Sequence, residues 1–495
     1  MSPGLARRAG RAVLWKGFEI AGNRGLSVLR TVILARILAP EDFGLLAAGV
    51  VTMEVGVQVT TFGMREAIIQ RRELDRDHYD AAWTFELVRT AIVAAVLMLA
   101  APFIATHMFN EPRAANIMRV LALAPLLDRA GSIGALSLVR ELRFGPVAGV
   151  GLAASFIHAL VAIALAGTLG VWAMVIGHLV GVLAQTIGSY VVAPRVPRFS
   201  FRTEAARPLL HFGRGVFARQ VIDVLGGAVL QVVIARRLGT AELGMYFVAA
   251  RLAFLPREIF RTIGVQVAFP VQAELQLDRD RAERAFRGHL AGTWMFLIPL
   301  YGVAIALAPG LMAHLVGTRW LGAVGAAQVL ALAALLGPVS DAATPVLMGR
   351  GRSGVVAFLV AGRSIAIAAV VWTLAGAFGL VGACLAWVVG EGLAAVFAWV
   401  ALRASLPKAF AGLTGPGLVI VGSAAAGTAV AFAIERVVPG VSGVMIAALL
   451  SLLAALVMLL WLDHRLRLGL VTEIGRALPG SARRLGFGVS DAEVP

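Results

Sequence analysis

Apolar runs of roughly 20 residues recur along this chain, separated by short links rich in arginine, glycine and proline. As a helix, a run of that length crosses about 30 Å of hydrocarbon. The runs are built from Leu, Ala, Val and Gly and lack the period-2 alternation of a membrane β-barrel. The pattern therefore predicts an all-α, polytopic membrane protein with about 14 transmembrane helices. They are expected near 16–38, 43–64, 81–106, 114–138, 146–168, 170–193, 209–238, 243–270, 289–316, 321–347, 354–375, 379–402, 417–434 and 441–462. Every link between them is too short for a soluble domain, and the tail after Asp463 is short and polar.

Parts of the pattern occur twice. "LARILAPEDFG" at 34–44 is echoed by "IARRLGTAELG" at 234–244, an offset of 200 residues. "APFIATH" at 101–107 is echoed by "APGLMAH" at 308–314, and "VLALAPLL" at 120–127 by "VLALAALL" at 329–336, offsets of 207 and 209. Three echoes in one order lay helices one, three and four over helices seven, nine and ten. The unit is thus six helices, and an even number returns the chain to its starting side. The two copies are therefore expected in parallel orientation, related by an axis along the membrane normal. The expected division is an N-terminal six-helix lobe at 1–194, a C-terminal six-helix lobe at 195–403, two extra helices at 404–463 and a cytoplasmic tail at 464–495. The duplicated link itself reads as an external hairpin. Arg36 suits a helix C-terminus, Pro40 a first turn, and Glu41 and Asp42 a helix N-terminus. In the copy, Gly239 ends a helix, Thr240 caps the next, and Glu242 supplies the early anion.

Composition agrees with a membrane protein. Of 495 residues, 59% are hydrophobic and only 15% charged, and mean hydropathy is +0.86. The net charge of +16 would suggest nucleic acid in a soluble protein. Here its distribution explains it. With the fourteen spans above, 27 arginines and lysines fall on one side of the membrane, and only Arg113, Arg236, Arg237, Arg319 and Arg436 on the other. Basic residues concentrate in cytoplasmic loops, so both termini are expected in the cytoplasm and no nucleic acid is expected as partner. The basic N-terminus lacks the short apolar core and cleavage site of a removable signal. The single cysteine, Cys384, lies in an apolar run, so neither a disulfide within one chain nor a CxxC metal site is available. No cofactor and no catalytic residue are expected.

Ionisable residues inside apolar spans are costly and mark cavities or sites. Arg24 and Arg30 lie in helix one, Arg219 in helix seven, and Arg251 and Arg257 in helix eight; these five are the candidates for cargo binding. Glu19 and Asn23 share a helical stripe with Arg30. Local pairs are expected for Arg219 with Asp223, Glu258 with Arg261, and Glu86 with Arg89. An excess of arginine suits an anion with several oxygens, such as a diphosphate, because guanidinium binds such groups bidentately. Glu19, Glu54, Glu391 and Asp223 are candidates for a coupling H+ or Na+, and the residues leave that choice open.

"WKGFEIAGNRGLSVLRTVILARILAPEDFGLLAAG", followed by "GMREAIIQRRELD" and "LVRELRF", resembles the oligosaccharidyl-lipid flippases of the polysaccharide transporter family. These are exporters of the O-antigen, colanic-acid and teichuronic-acid type, within the multidrug/oligosaccharidyl-lipid/polysaccharide exporter superfamily. The resemblance implies alternating access between two six-helix lobes in the bacterial cytoplasmic (inner) membrane. It implies an undecaprenyl-diphosphate-linked oligosaccharide as cargo, membrane lipids as surroundings, and the polysaccharide polymerase and glycosyltransferases of the same pathway as partners. The resemblance also implies central arginines for the diphosphate or acidic sugars, and Arg24, Arg30, Arg251 and Arg257 are the positions here that could take that role. The alternatives are a cation-coupled multidrug or small-molecule antiporter and a lipid-II flippase. A membrane polymerase or ligase is disfavoured, because the external links are too short to carry reactive groups.

Overall fold

The structure, a computed structural model, describes residues 3–61, 76–141, 143–200, 203–276, 278–438 and 440–466. Among them the chain is helical with no strand. The "GMREAIIQRRELD" segment and the polar tail beyond 466 lie outside the described residues.

The first helices are α1 (Pro3–Ile37), α2 (Pro40–Gln58) and α3 (Arg76–Phe103), the last continued by a π-helical turn, Ile104–Met108. The expected fourth helix is broken into α4 (Ala114–Leu121), α5 (Leu123–Arg129) and α6 (Ala135–Arg140). The second break has a visible cause. Ser132 donates from its hydroxyl to the Ala193 carbonyl at 2.6 Å, and its amide donates to Ser189 Oγ at 2.8 Å. The chain there bonds sideways to the end of the sixth span instead of along its own helix. Then come α7 (Phe144–Leu169), α8 (Val171–Val192), α9 (Thr203–Leu238) and α10 (Thr240–Glu274). They are followed by α11 (Arg279–Ala306), a π turn at Leu311–Val316, a 3-10 turn at Thr318–Ala323, and α12 (Val324–Gly349). α13 (Ser353–Arg403) is 51 residues long and is bent at Gly379; α14 (Thr414–Val437) and α15 (Val441–Leu466) close the chain. By length and composition, eight helices among the described residues qualify as membrane spans, α13 counted once. The bend lets α13 supply two crossings, and the succession is compatible with fourteen.

The six-helix repeat is visible in the backbone. The π turns beginning at Ile104 and Leu311 stand 207 residues apart, the offset of the "AP…H" echo in which both begin. Gly170 and Gly379, 209 residues apart, adopt nearly the same glycine-specific conformation, φ 56° and ψ −131° against φ 60° and ψ −140°. Each makes the corner between the fifth and sixth helix of its copy, where a side chain would be strained.

By packing, the chain forms two compact units. One comprises Met1–Leu252 with Ser364–Ala386, the other Ala253–Arg363 with Trp387–Pro495. In the first unit, α7 and α8 approach closely through small residues: a Cβ at Gly177 would lie 2.7 Å from the Ala162 methyl. The two duplicated links also meet in this unit. A Cβ at Gly44 would overlap the Thr240 carbonyl, and one at Gly244 would overlap the Pro40 carbonyl. Adding 200 to one member of each pair and subtracting it from the other converts the first contact into the second. This is the self-complementary packing of two equivalent segments about a local two-fold axis. Pro40 opens α2 with Glu41 and Asp42 in its first turn, as expected. Thr240 departs from expectation: its hydroxyl donates to Glu111 Oε2 at 3.0 Å instead of capping its own helix.

In the second unit, Phe286, Leu290, Val346, Leu347, Leu359 and Leu402 form a buried core between α11, α12 and α13. Val303 and Leu307 of α11 pack with Ala431 and Ala447 of the last two helices. There a Cβ at Gly427 would sit 2.7 Å from the Ser451 carbonyl oxygen.

Candidate functional site

The sequence places nine candidate ionisable residues, and the structure sorts them by unit. In the first unit, α1, α2, α7, α8 and α10 bring together Arg24, Arg30, Glu54, His158, His178 and Arg251. Arg30 donates from Nη1 to His158 Nδ1 at 2.8 Å. The His158 and His178 rings stand edge to face, 5.4 Å between centroids. Arg251 donates to the Ser27 hydroxyl and lies 5.9 Å from the Phe247 ring centre. Arg24 and Glu54 are within electrostatic range of Arg251. One turn below Ser27, the Ser155 hydroxyl donates to Asn23 Oδ1 at 2.6 Å. Glu19 lies beside Asn23, both facing Gly151 of α7.

Arg24 and Glu54 are exposed although both lie within membrane-length helices. Charged groups at membrane depth are costly against lipid tails and are favoured where they line a polar space. The helices thus present three guanidinium groups and two imidazoles, with Glu54 as neighbour. Each guanidinium carries five fixed donors and no acceptor, which suits an oxygen-rich anion.

The remaining candidates behave differently. Arg257 and Glu391 belong to the second unit and are engaged with each other. Arg257 donates from Nη1 and Nη2 to the Glu391 carboxylate at 2.8 and 3.2 Å. It also donates from Nε and Nη2 to Asp341 at 2.9 and 3.3 Å. Arg363 donates from Nη1 as a second partner to Glu391 at 3.3 Å. Glu391 is 0% exposed and Arg257 7%. Two arginines and two carboxylates thus cancel in charge where isolated ions would be very costly.

The local fold builds this quartet. The Tyr301 hydroxyl donates to the Ala253 carbonyl at 2.7 Å and accepts from the Arg257 amide at 3.2 Å. These backbone groups are one turn apart in α10, beside Pro256, so a side chain enters the helical ladder where proline weakens it. Gly337 of α12 leaves the space the guanidinium fills, since a Cβ there would overlap it. Of the other candidates, Asp223 is exposed on α9, and the side chain of Arg219 lies outside the described residues. The expected pairs Glu86–Arg89 and Glu258–Arg261 form, at 2.7 and 2.8 Å.

Sequence reading missed His158, His178, Asp341 and Arg363. All four are ionisable residues inside apolar runs, the signal that picked out the others.

The family model described as "Polysaccharide biosynthesis protein" matches residues 33–325. The chain belongs to that family. It is 27% identical over 363 residues to the succinoglycan biosynthesis transport protein ExoT of Rhizobium meliloti (strain 1021), covering 73% of each chain. It is 24% identical over 343 residues to the lipopolysaccharide biosynthesis protein WzxC of Escherichia coli (strain K12), covering 68% of this chain and 69% of that one. Among solved structures, an inward closed conformation of the lipid II flippase MurJ superposes with a TM-score of 0.76 at 13% identity, covering 92% of this chain and 99% of that one. At that identity the likeness shows the fold. The polysaccharide biosynthesis match spans α2 to the start of α12, so it contains Arg251 and Arg257 and ends before Glu391.

Proposed function

We propose that this member of the polysaccharide biosynthesis family is a flippase. It moves an undecaprenyl-diphosphate-linked oligosaccharide across the bacterial cytoplasmic membrane by alternating access, for surface polysaccharide synthesis. The observation that carries this reading is the meeting of Arg24, Arg30 and Arg251 beside His158 in space that is polar yet inside membrane-length helices. A diphosphate offers the paired oxygens that guanidinium groups recognise. Transport proteins among the relatives, such as ExoT, act in the same kind of pathway. The cargo enters from the cytoplasmic leaflet, and both termini lie in the cytoplasm, as the loop-charge bias indicates. The six-helix lobes at 1–194 and 195–403 move about the cargo, with the helices at 404–463 beside the second. Glycosyltransferases supply the cargo and a polymerase consumes it. Arg257 and Glu391 hold the second unit together, and Glu19, Glu54 and Asp223 are the carboxylates assigned to a coupling H+ or Na+.

The test is complementation of a strain lacking this chain and any redundant exporter. Wild type restores surface polysaccharide. The Arg24→Ala, Arg30→Ala, Arg251→Ala triple variant, expressed at equal level, fails to do so and accumulates lipid-linked oligosaccharide inside. Full restoration by the triple variant overturns the reading. Vesicles loaded with lipid II test the alternative cargo that the MurJ-like fold raises; transport of lipid II in preference to the oligosaccharide lipid would favour it.

A further inference from the structure

The bond between Arg30 and His158 fixes a protonation state. Arginine is always charged and has no acceptor, so Arg30 Nη1 is the donor and His158 Nδ1 must be the acceptor. His158 is therefore neutral here, with its proton on Nε2. The groups facing it are known from every element packed around it. Arg30 comes from α1, His178 from α8 at 5.4 Å between rings, and Arg251 from α10 within electrostatic range. Glu54 of α2 acts on Arg251. His158 is also held in place mechanically, because Gly181 of α8 admits its Cβ at a distance a side chain there would close to 2.7 Å.

We propose that His158 is the residue through which protons couple to cargo binding. The inference rests on the anionic-cargo reading above and adds the proton acceptor to it. With the site empty, two arginines oppose a positive imidazole, and the neutral ring serves as the acceptor that keeps Arg30 aimed. An anion that takes over the Arg30 donors frees Nδ1. Its negative charge then favours protonation of the ring, which becomes a further donor to the anion. One proton is taken up from solvent onto Nδ1 as the anion binds, and no covalent bond changes. Linkage sets the sign: a group that gains protons on binding makes affinity rise as pH falls. His158 is a positioning residue at neutral pH and a ligand-facing donor once protonated.

The experiment uses the purified full chain with undecaprenyl diphosphate as the probe. Affinity is measured from about pH 8.5 to about pH 5.5, the interval in which histidine titrates, for wild type and for His158→Gln. The Gln side chain can still accept from Arg30 but cannot take a proton. Because the probe titrates identically in both, the difference isolates the histidine. The wild-type to variant affinity ratio near pH 8.5 is the reference; towards pH 5.5 that ratio rises by up to roughly tenfold per pH unit of histidine titration. Should the variant fold poorly, calorimetry of wild type in buffers of different ionisation enthalpy, with a prenyl diphosphate diester that carries no group titrating in this interval as the probe, reads the histidine's proton, and net uptake is expected. Equal pH slopes, or zero uptake or net release in wild type, overturn the proposal. If in addition Arg30→Ala and Arg251→Ala leave affinity unchanged, the anionic-cargo reading fails as well; if they weaken it, only the proton link is lost.

Discussion

At the scale of single residues, the two charged groups make opposite predictions. Arg30 and Arg251 each offer charge-assisted hydrogen bonds, worth about 1.5–3 kcal/mol apiece. Arg30→Ala or Arg251→Ala should therefore lower affinity for a lipid diphosphate by roughly 10- to 100-fold, read by direct binding, with little change in thermal stability. Glu391→Gln should do the reverse. It leaves Arg257 and Arg363 without their shared buried anion, a loss of about 3–5 kcal/mol for a broken buried pair. A large fall in unfolding temperature is expected in detergent, and an unchanged unfolding temperature would refute the structural role given to it. Sequence reading found both groups by one signal, charge inside apolar runs. It could not separate them, because Arg257 differs from Arg30 only in which neighbours the fold supplies. Asp341 lies 84 residues from Arg257, and Glu391 lies 134 residues away.

At the scale of elements, the paired links carry the sharpest prediction. Gly44 and Gly244 each touch a backbone carbonyl of the opposite copy, and backbone cannot rotate out of the way as a side chain can. Gly44→Ala and Gly244→Ala should each part the two links. Because they disrupt one symmetric contact, the double variant should cost less than the sum of the singles. Cross-linking of cysteines placed at Pro40 and Thr240 should fall in all three, and strictly additive losses would argue against a shared contact. The same junction has a pH limit. Arg113 pairs with Glu111 and holds its carboxyl below the ordinary carboxylate range. Its contribution, including the bond to Thr240, is present above that range and is lost only as pH falls through the lowered value. Protection of the Gly44 and Gly244 amides from hydrogen exchange, corrected for the intrinsic pH dependence of exchange, should therefore be unchanged between about pH 8 and about pH 5. The link was legible in the sequence as a repeated hairpin; that the two hairpins pack on each other was not, since no residue in either is complementary to the other except through shape.

At the scale of the whole molecule, the repeat is structural but the chemistry is not repeated. The offset that relates Gly44 to Gly244 carries Arg30 onto Leu230 and Arg24 onto Val224, and relates Arg251 back to Val51. A duplicated scaffold thus presents one cationic cluster in the unit containing α1, and a neutral quartet in the other. The cargo proposed above, charged at its diphosphate and neutral along its lipid, would have no need of two equal sites. The orientation assigned to this scaffold is tested by tags: reporters fused at both termini should be inaccessible to protease added outside intact spheroplasts, and cleavage of either would reverse the orientation.

The sequence by itself determined the solvent this protein folds in, the helical class, the order and near length of its spans, and the six-helix period. Those follow from run length, side-chain periodicity and duplicated segments, all local along the chain. It also marked most of the residues that matter, because charge inside hydrocarbon is conspicuous anywhere. Only the tertiary structure showed which of them come together. Whether a buried arginine is a ligand-binding group or half of an ion pair depends on partners a hundred residues away. Whether His158 is an acceptor or a donor depends on which atom of Arg30 reaches it. The break at Ser132, and the bonds of Tyr301 to the backbone of α10, are likewise set between distant segments, which no local pattern encodes.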